Sequence, residues 1–147
     1  MIHRRDIAVG VIALVATLGA RAAVDEARTL IGPSIYDWTK ITARKTEVGE
    51  VRFFFRGPTK TLEELEVHVT TLDPGKASHP PHKHPNEEMV IVGEGTVEAL
   101  VDGEWKRVGP GSVIFNASNV VHGLRNVGRG PATYHVINWK SDRTPKE

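Results

Sequence analysis

Cysteine is absent from all 147 residues. No disulfide framework, thiolate metal site or thiol nucleophile can be built. Aromatic residues are few, at 6%. No basic stripe carries interleaved aromatics, which removes the usual footprint of a nucleic-acid-binding surface. Long hydrophobic runs are also missing: the longest, Ile7 to Ala20, falls short of the roughly 20 apolar residues of a comfortable membrane span. No segment after residue 30 sustains a 3.6-residue apolar period, so helix content should be low. Internal repeats and low-complexity tracts are absent as well. What remains, 39% hydrophobic and 25% charged residues, describes one globular domain with enough chain to bury a core.

The apolar run is preceded by Met1-Ile2-His3-Arg4-Arg5-Asp6 and followed by the small-residue sequence Ala20-Arg21-Ala22. That basic-then-apolar-then-small order predicts a cleavable export signal over residues 1–22, in preference to a buried or membrane-anchoring helix, and an exported, periplasmic protein. Arg4-Arg5 resembles the start of bacterial twin-arginine signals, which carry folded proteins across the inner membrane. Without residues 1–22, the chain holds 16 basic and 17 acidic residues and is close to neutral.

Residues 23–46 read as a linker and N-terminal arm, with a short helix at Asp25 to Leu30, a break at Gly32-Pro33 and an apolar stretch Ile35-Tyr36-Asp37-Trp38. Such an arm can pack on its own domain or complete a dimer. Beyond Thr46, short β-branched and aromatic runs alternate with turn residues, the pattern of an all-β sandwich or barrel over residues 47–140, followed by a tail at 141–147. The expected strands are Val48 to Phe55, Leu65 to Leu72, Glu88 to Val92, Thr96 to Val101, Trp105 to Val108, Ser112 to Phe115, His122 to Asn126 and Thr133 to Trp139. Asp102-Gly103 should close a tight hairpin, because a primed turn needs positive φ at both central residues.

The chemistry concentrates in His82-Lys83-His84-Pro85-Asn86-Glu87-Glu88 and, later, His122-Gly123-Leu124-Arg125-Asn126. Side chains two apart on a strand share a face, so His82 and His84 can converge while Lys83 turns away. Glu88 has the same parity and Glu87 the opposite one. His122 can join them through antiparallel pairing. Three imidazoles and a carboxylate suit one divalent ion, among them iron, manganese, zinc, nickel or copper, with coordination positions left open.

These residues resemble the two motifs of the cupin superfamily. His82, His84, Glu88 and Gly95 match the first in register, with Gly75 one residue further upstream than the pattern expects. Gly111, His122 and Asn126 match the second, where Ala117 replaces a proline and Asn119 a glycine. Asparagine tolerates left-handed backbone, so that turn should survive. The resemblance spans roughly Leu65 to Trp139 and implies a jelly-roll barrel, a metal on His82, His84, Glu88 and His122, and commonly a homodimer.

Other residues carry weaker expectations. His79 is an exposed loop histidine or a rim acid or base. His68 and His135 face either the barrel interior or solvent, which parity alone does not decide. Asn126 should bond a turn backbone. Phe115, Val90, Val92, Leu124 and Trp139 are candidates for an apolar wall, or ordinary core. Glu63-Glu64 is a solvated turn. Among functions, the resemblance favours a dioxygenase-like oxidoreductase acting on a small molecule. The alternatives are a non-catalytic periplasmic binding protein and a metal-dependent isomerase or hydrolase, since the fold alone names no reaction.

Overall fold

The computed structural model describes residues 29–146, so the expected export signal and most of the expected Asp25 to Leu30 helix lie outside the described residues. Apart from one turn of 3-10 helix at Trp38–Lys40, every element within them is a strand: β1 (Arg44–Thr46), β2 (Gly49–Gly57), β3 (Glu64–Leu72), β4 (Glu87–Glu94), β5 (Val97–Val101), β6 (Glu104–Val108), β7 (Val113–Asn116), β8 (Gly123–Asn126) and β9 (Ala132–Lys140). They form a six-stranded sheet of order β1-β2-β3-β9-β4-β7 and a three-stranded sheet of order β6-β5-β8, all antiparallel, which is the jelly-roll barrel expected. The eight expected strands are all present, with ends shifted by one or two residues. Asp102 (φ 52°) and Gly103 (φ 79°) close the β5–β6 hairpin between Val101 and Glu104.

Cross-strand partners point to the same side, so the register defines the inner face. One inward row runs Val51, Thr70, Tyr134, Val92 and the next runs His68, Val136, Val90, Ile114. Leu72, Val92, Val97 and Ala132 are essentially inaccessible and, with Ala99 and Val136, make the core between the sheets. Full burial of each such large aliphatic side chain contributes about 1.5–3 kcal/mol. Met89, Ile137 and Phe115, one residue out of phase with that core, face away from it.

The arm packs on its own barrel. Tyr36 lies 4.7 Å from the Phe55 ring, Trp38 6.3 Å from Phe54, and the Arg52 guanidinium 4.4 Å over Trp38. The arm also supplies β1, a short edge strand that periodicity over three polar residues could not reveal. Glu64 corrects the expectation of a solvated Glu63-Glu64 turn: it opens β3 on the inward side, is 6% exposed, and its Oε2 meets Arg56 Nε at 2.9 Å.

Candidate metal centre

His82 and His122 come together because their backbones exchange two hydrogen bonds, His82 N to His122 O at 3.0 Å and His122 N to His82 O at 2.9 Å. The segment from His82 to Asn86 is otherwise not strand. Pro80, Pro81 and Pro85 remove backbone donors there, and a bend at Pro85-Asn86 precedes β4. The shared-strand parity expected for His82, His84 and Glu88 therefore starts only at Glu87. Within β4 it does decide the carboxylates: Glu88 points in with Val90 and Val92, while Glu87 points out and accepts from Trp139 Nε1 at 3.0 Å.

One ring nitrogen from each of His82, His84 and His122 lies within 4.8 Å of the others, so the three could hold a metal ion. Two of these imidazoles have their tautomer set. His84 Nδ1–H donates to the Asn86 carbonyl at 3.0 Å and His122 Nδ1–H to the Val120 carbonyl at 2.9 Å. Each arrangement leaves Nε2 as the lone-pair nitrogen, the orientation in which backbone carbonyls hold metal-binding histidines. His122 is 4% exposed, and its Nε2 is buried without a hydrogen-bond partner, as is His82 Nδ1. Buried polar atoms left unpaired are costly. A coordinated cation would satisfy them, so the donor set fits a metal.

Glu88 adjoins the triad, with Oε2 3.8 Å from His84 Nε2 and Oε1 3.9 Å from His122 Nε2. Asn116, at the end of β7, donates to Glu88 Oε1 at 2.9 Å and orients the carboxylate. Burial, followed by the neighbouring imidazoles of His79, His122 and His84, holds His82 below the usual imidazole range, while Glu88 pulls the other way. The neutral ring, which is the ligating form, is thereby favoured.

A cavity of about 160 Å³ inside the barrel is lined by His122 of the triad and by Glu88. Val90, Ala99, Ile114, Leu124 and Val136 form its apolar wall; His68, Thr70, Ser78, His79, Glu88, Asn116, His122 and Tyr134 supply the polar groups. Of the expected wall residues, Val90 and Leu124 line it and Val92 belongs to the core. Phe115 and Trp139 do neither. They stack on each other at 6.2 Å on the outer face, because Phe115 pairs with Met89 and Trp139 with Glu87, the outward residues of β4.

His79 is exposed along one edge, as a loop residue should be, yet its ring abuts His82 at 4.0 Å and it reaches the cavity. Desolvation there lowers its pKa, partly offset by a backbone hydrogen bond and Glu88. His68 faces the cavity, and His135, one residue off the inward parity of Tyr134 and Val136, is exposed. Asn126 is structural, as expected: at 1% exposure its Nδ2 donates to Leu72 O (3.0 Å) and Gly130 O (2.9 Å), and its Oδ1 accepts from Gly128 N (2.9 Å). Asn119 adopts φ 59°, so asparagine does replace glycine in that turn.

Asn116, Thr70, Ser78 and Tyr134 are site residues that sequence reasoning missed. Tyr134 is buried, hydrogen-bonded to the Ser78 and Thr70 side chains, and desolvation pushes its hydroxyl up to about 12. Only its parity with Val136 could have flagged it.

The family model described as Cupin domain matches residues 68–138. Among solved structures, KdgF from Halomonas sp. is 18% identical with a TM-score of 0.62, covering 76% of this chain and 97% of its own. A RmlC-like cupin from Shewanella frigidimarina is 17% identical with a TM-score of 0.62, covering 76% and 95%. The Cupin_2 domain of an XRE-family transcriptional regulator from Enterobacter cloacae is 27% identical with a TM-score of 0.52, covering 60% and 92%. No curated protein matches.

Proposed function

This chain carries a small cupin domain, and on that premise we propose that it holds one divalent metal ion on His82, His84, Glu88 and His122 and acts on a small oxygen-bearing molecule in the adjoining cavity. The observation that carries the reading is the convergence of three imidazoles, two with Nε2 freed by backbone carbonyls and one of those Nε2 atoms, on the cavity-lining His122, buried and unpartnered. Bound there, an ion supplies Lewis-acid polarisation of a ligand oxygen and, when redox-active, electrons for dioxygen chemistry. Imidazole with carboxylate suits iron(II) and manganese, and a dioxygenase-like oxidoreductase is the proposed activity.

The chain's own residues do the rest. Asn116 fixes the Glu88 carboxylate, and the carbonyls of Asn86 and Val120 fix the rings of His84 and His122. The wall of Val90, Ala99, Ile114, Leu124 and Val136 excludes water from the apolar side of a ligand, which strengthens each polar contact inside. Tyr134, held neutral by burial, keeps an O–H donor at the cavity wall.

Isomerase or hydrolase chemistry is the second reading. It is favoured by the His68 imidazole, which lines the same cavity 3.0 Å from the Glu66 carboxylate. Export through the N-terminal signal and homodimerisation belong to the same proposal. A fusion of residues 1–25 to a reporter tests the first and light scattering the second.

Metal analysis of protein purified from its native compartment, with oxygen uptake over a small-molecule panel, tests the function. One iron per chain with oxygen consumption supports the oxygenase. Firmly held zinc without turnover of any kind favours a binding protein instead. Stoichiometric metal that survives both His84→Ala and His122→Ala refutes the ligand set.

A further inference from the structure

A second polar group of residues lies on the inward face of the large sheet, away from the imidazole triad. Arg56 on β2 reaches Glu64 at 2.9 Å and Glu66 at 3.4 Å, and Glu66 Oε1 receives His68 Nδ1–H at 3.0 Å. His68 and Glu66 are both largely buried, with side chains 23% and 19% exposed. The Glu66 contact places the Nδ1 proton on the carboxylate side and leaves Nε2 as the basic nitrogen. His68 lines the cavity that Glu88 and His122 also line.

The register sets the separation. Glu66 pairs with Asn138 and Asn138 with Glu88, while His68 pairs with Val136 and Val136 with Val90. Two strand spacings, roughly 9–10 Å, therefore part the β3 group from Glu88. His68 is too distant to share an ion with the triad and close enough to touch the far end of a small molecule anchored there. The titratable and charged groups around that space are Arg56 from β2, Glu64 and Glu66 from β3, Glu88 from β4, Tyr134 from β9, and His79 and His122 from the loops. Only Glu66 touches the His68 ring among them.

We infer that His68 is the proton acceptor for a small hydroxylated ligand of the enol, catechol or hydroxy-acid class bound between it and the metal centre, with Glu66 as its positioning residue. The inference rests on the metal reading above. On binding, the ligand O–H bond breaks with its electron pair staying on oxygen, and the proton forms an N–H bond at His68 Nε2. The imidazolium is balanced by the Glu66 carboxylate, which Arg56 holds in place at 3.4 Å. No oxidant or further reactant enters the step, so it serves as the opening of either an oxygenase or an isomerase.

The test is calorimetric titration of the zinc-loaded full chain with catechol at neutral pH, in buffers of different ionisation enthalpy, to count protons released per ligand bound. Wild type should release close to none, the proton staying on His68. His68→Gln should release about one more per catechol, so that its affinity rises with pH by up to about tenfold per unit where wild type stays flat. Glu66→Gln, which keeps an amide oxygen facing Nδ1, should fall between the two and carries the test if His68→Gln does not fold. Equal proton counts in wild type and both variants overturn the inference, as does a failure of zinc-loaded protein to bind catechol. A purely structural role for His68 predicts weaker binding at an unchanged count. Catechol binding that is identical with and without zinc, while His68→Gln still alters the count, sinks the metal reading and leaves the proton acceptor standing.

Discussion

Glu88→Gln set against Glu87→Gln gives the sharpest check on the metal centre, because the two carboxylates are adjacent in sequence and opposite in direction. Glutamine at 88 keeps the side-chain length and an oxygen acceptor for Asn116, and removes only the charge that stands 3.8 Å from His84 Nε2 and 3.9 Å from His122 Nε2. Groups that merely support metal ligands change affinity by about 10–100-fold when removed. A carboxylate donating directly should therefore reach at least the upper end, about 100-fold or ~2.7 kcal/mol. Asn116→Ala, which frees Glu88 without removing it, should fall inside that supporting range.

Glu87→Gln leaves the site alone. Its carboxylate accepts from Trp139 Nε1 at 3.0 Å on the outer face, and an amide oxygen can take over that bond. A change of this kind stays within about 0.5 kcal/mol, close to twofold. The assay is competition of chelator-stripped protein with a chromophoric chelator for zinc and for manganese, with metal stoichiometry measured in parallel. Glu88→Gln within threefold of wild type, or Glu87→Gln losing as much as Glu88→Gln, would refute the assignment of inward and outward carboxylates.

Further consequences concern the scaffold. Asn126→Ala strips partners from Leu72 O, Gly130 O and Gly128 N at a 1% exposed position; the expected loss is about 2–4 kcal/mol in urea unfolding at an unchanged m-value, with metal stoichiometry retained. Gly95→Ala meets Pro131 O at 2.6 Å and Ala132 at 2.7 Å with φ at +84°, so a loss of about 2–4 kcal/mol by the same method is expected, and a neutral result would contradict the close approach of that turn to β9. The chain has two tyrosines, and in alkaline absorbance titration Tyr134 should ionise last, near its value of about 12. Its folded-state value is raised, so the stability it contributes is intact below pH 10 and fades between pH 10 and 12, about 3 kcal/mol in all. Tyr134→Phe should abolish the late phase and flatten that decline; a late phase persisting in Tyr134→Phe assigns it elsewhere.

Much of the fold and site was legible because the signals are local. Alternation in Glu64–Leu72 and Ala132–Lys140 marks strands whatever they later pair with, and Asp102-Gly103 carries its own turn geometry. The spacing of His82, His84 and Glu88 singled out residues that the structure brings close together, even though Pro85 and Asn86 break the regular strand assumed for them. Phe115 and Trp139, candidates for the apolar wall or the core, lie on the outer face instead, because hydrophobicity does not say which of two faces is inward. The same ambiguity left His68 and His135 undecided until the register showed the first in the cavity and the second in solvent.

By itself the sequence determined the all-β class, the turn positions, the absence of thiolate ligands and the candidate imidazoles, since each follows from residue type and spacing within a few positions. Only the tertiary structure decided that His82 and His122 exchange backbone hydrogen bonds, that Glu88 faces inward and Glu87 outward, and that His68 shares a cavity with Glu88 and His122. Those facts depend on strand register and sheet closure. They join residues far apart in the chain, His82 with His122 and Glu87 with Trp139 among them, and a one-residue slip, which leaves every local propensity untouched, would turn the strand side chains to the opposite face.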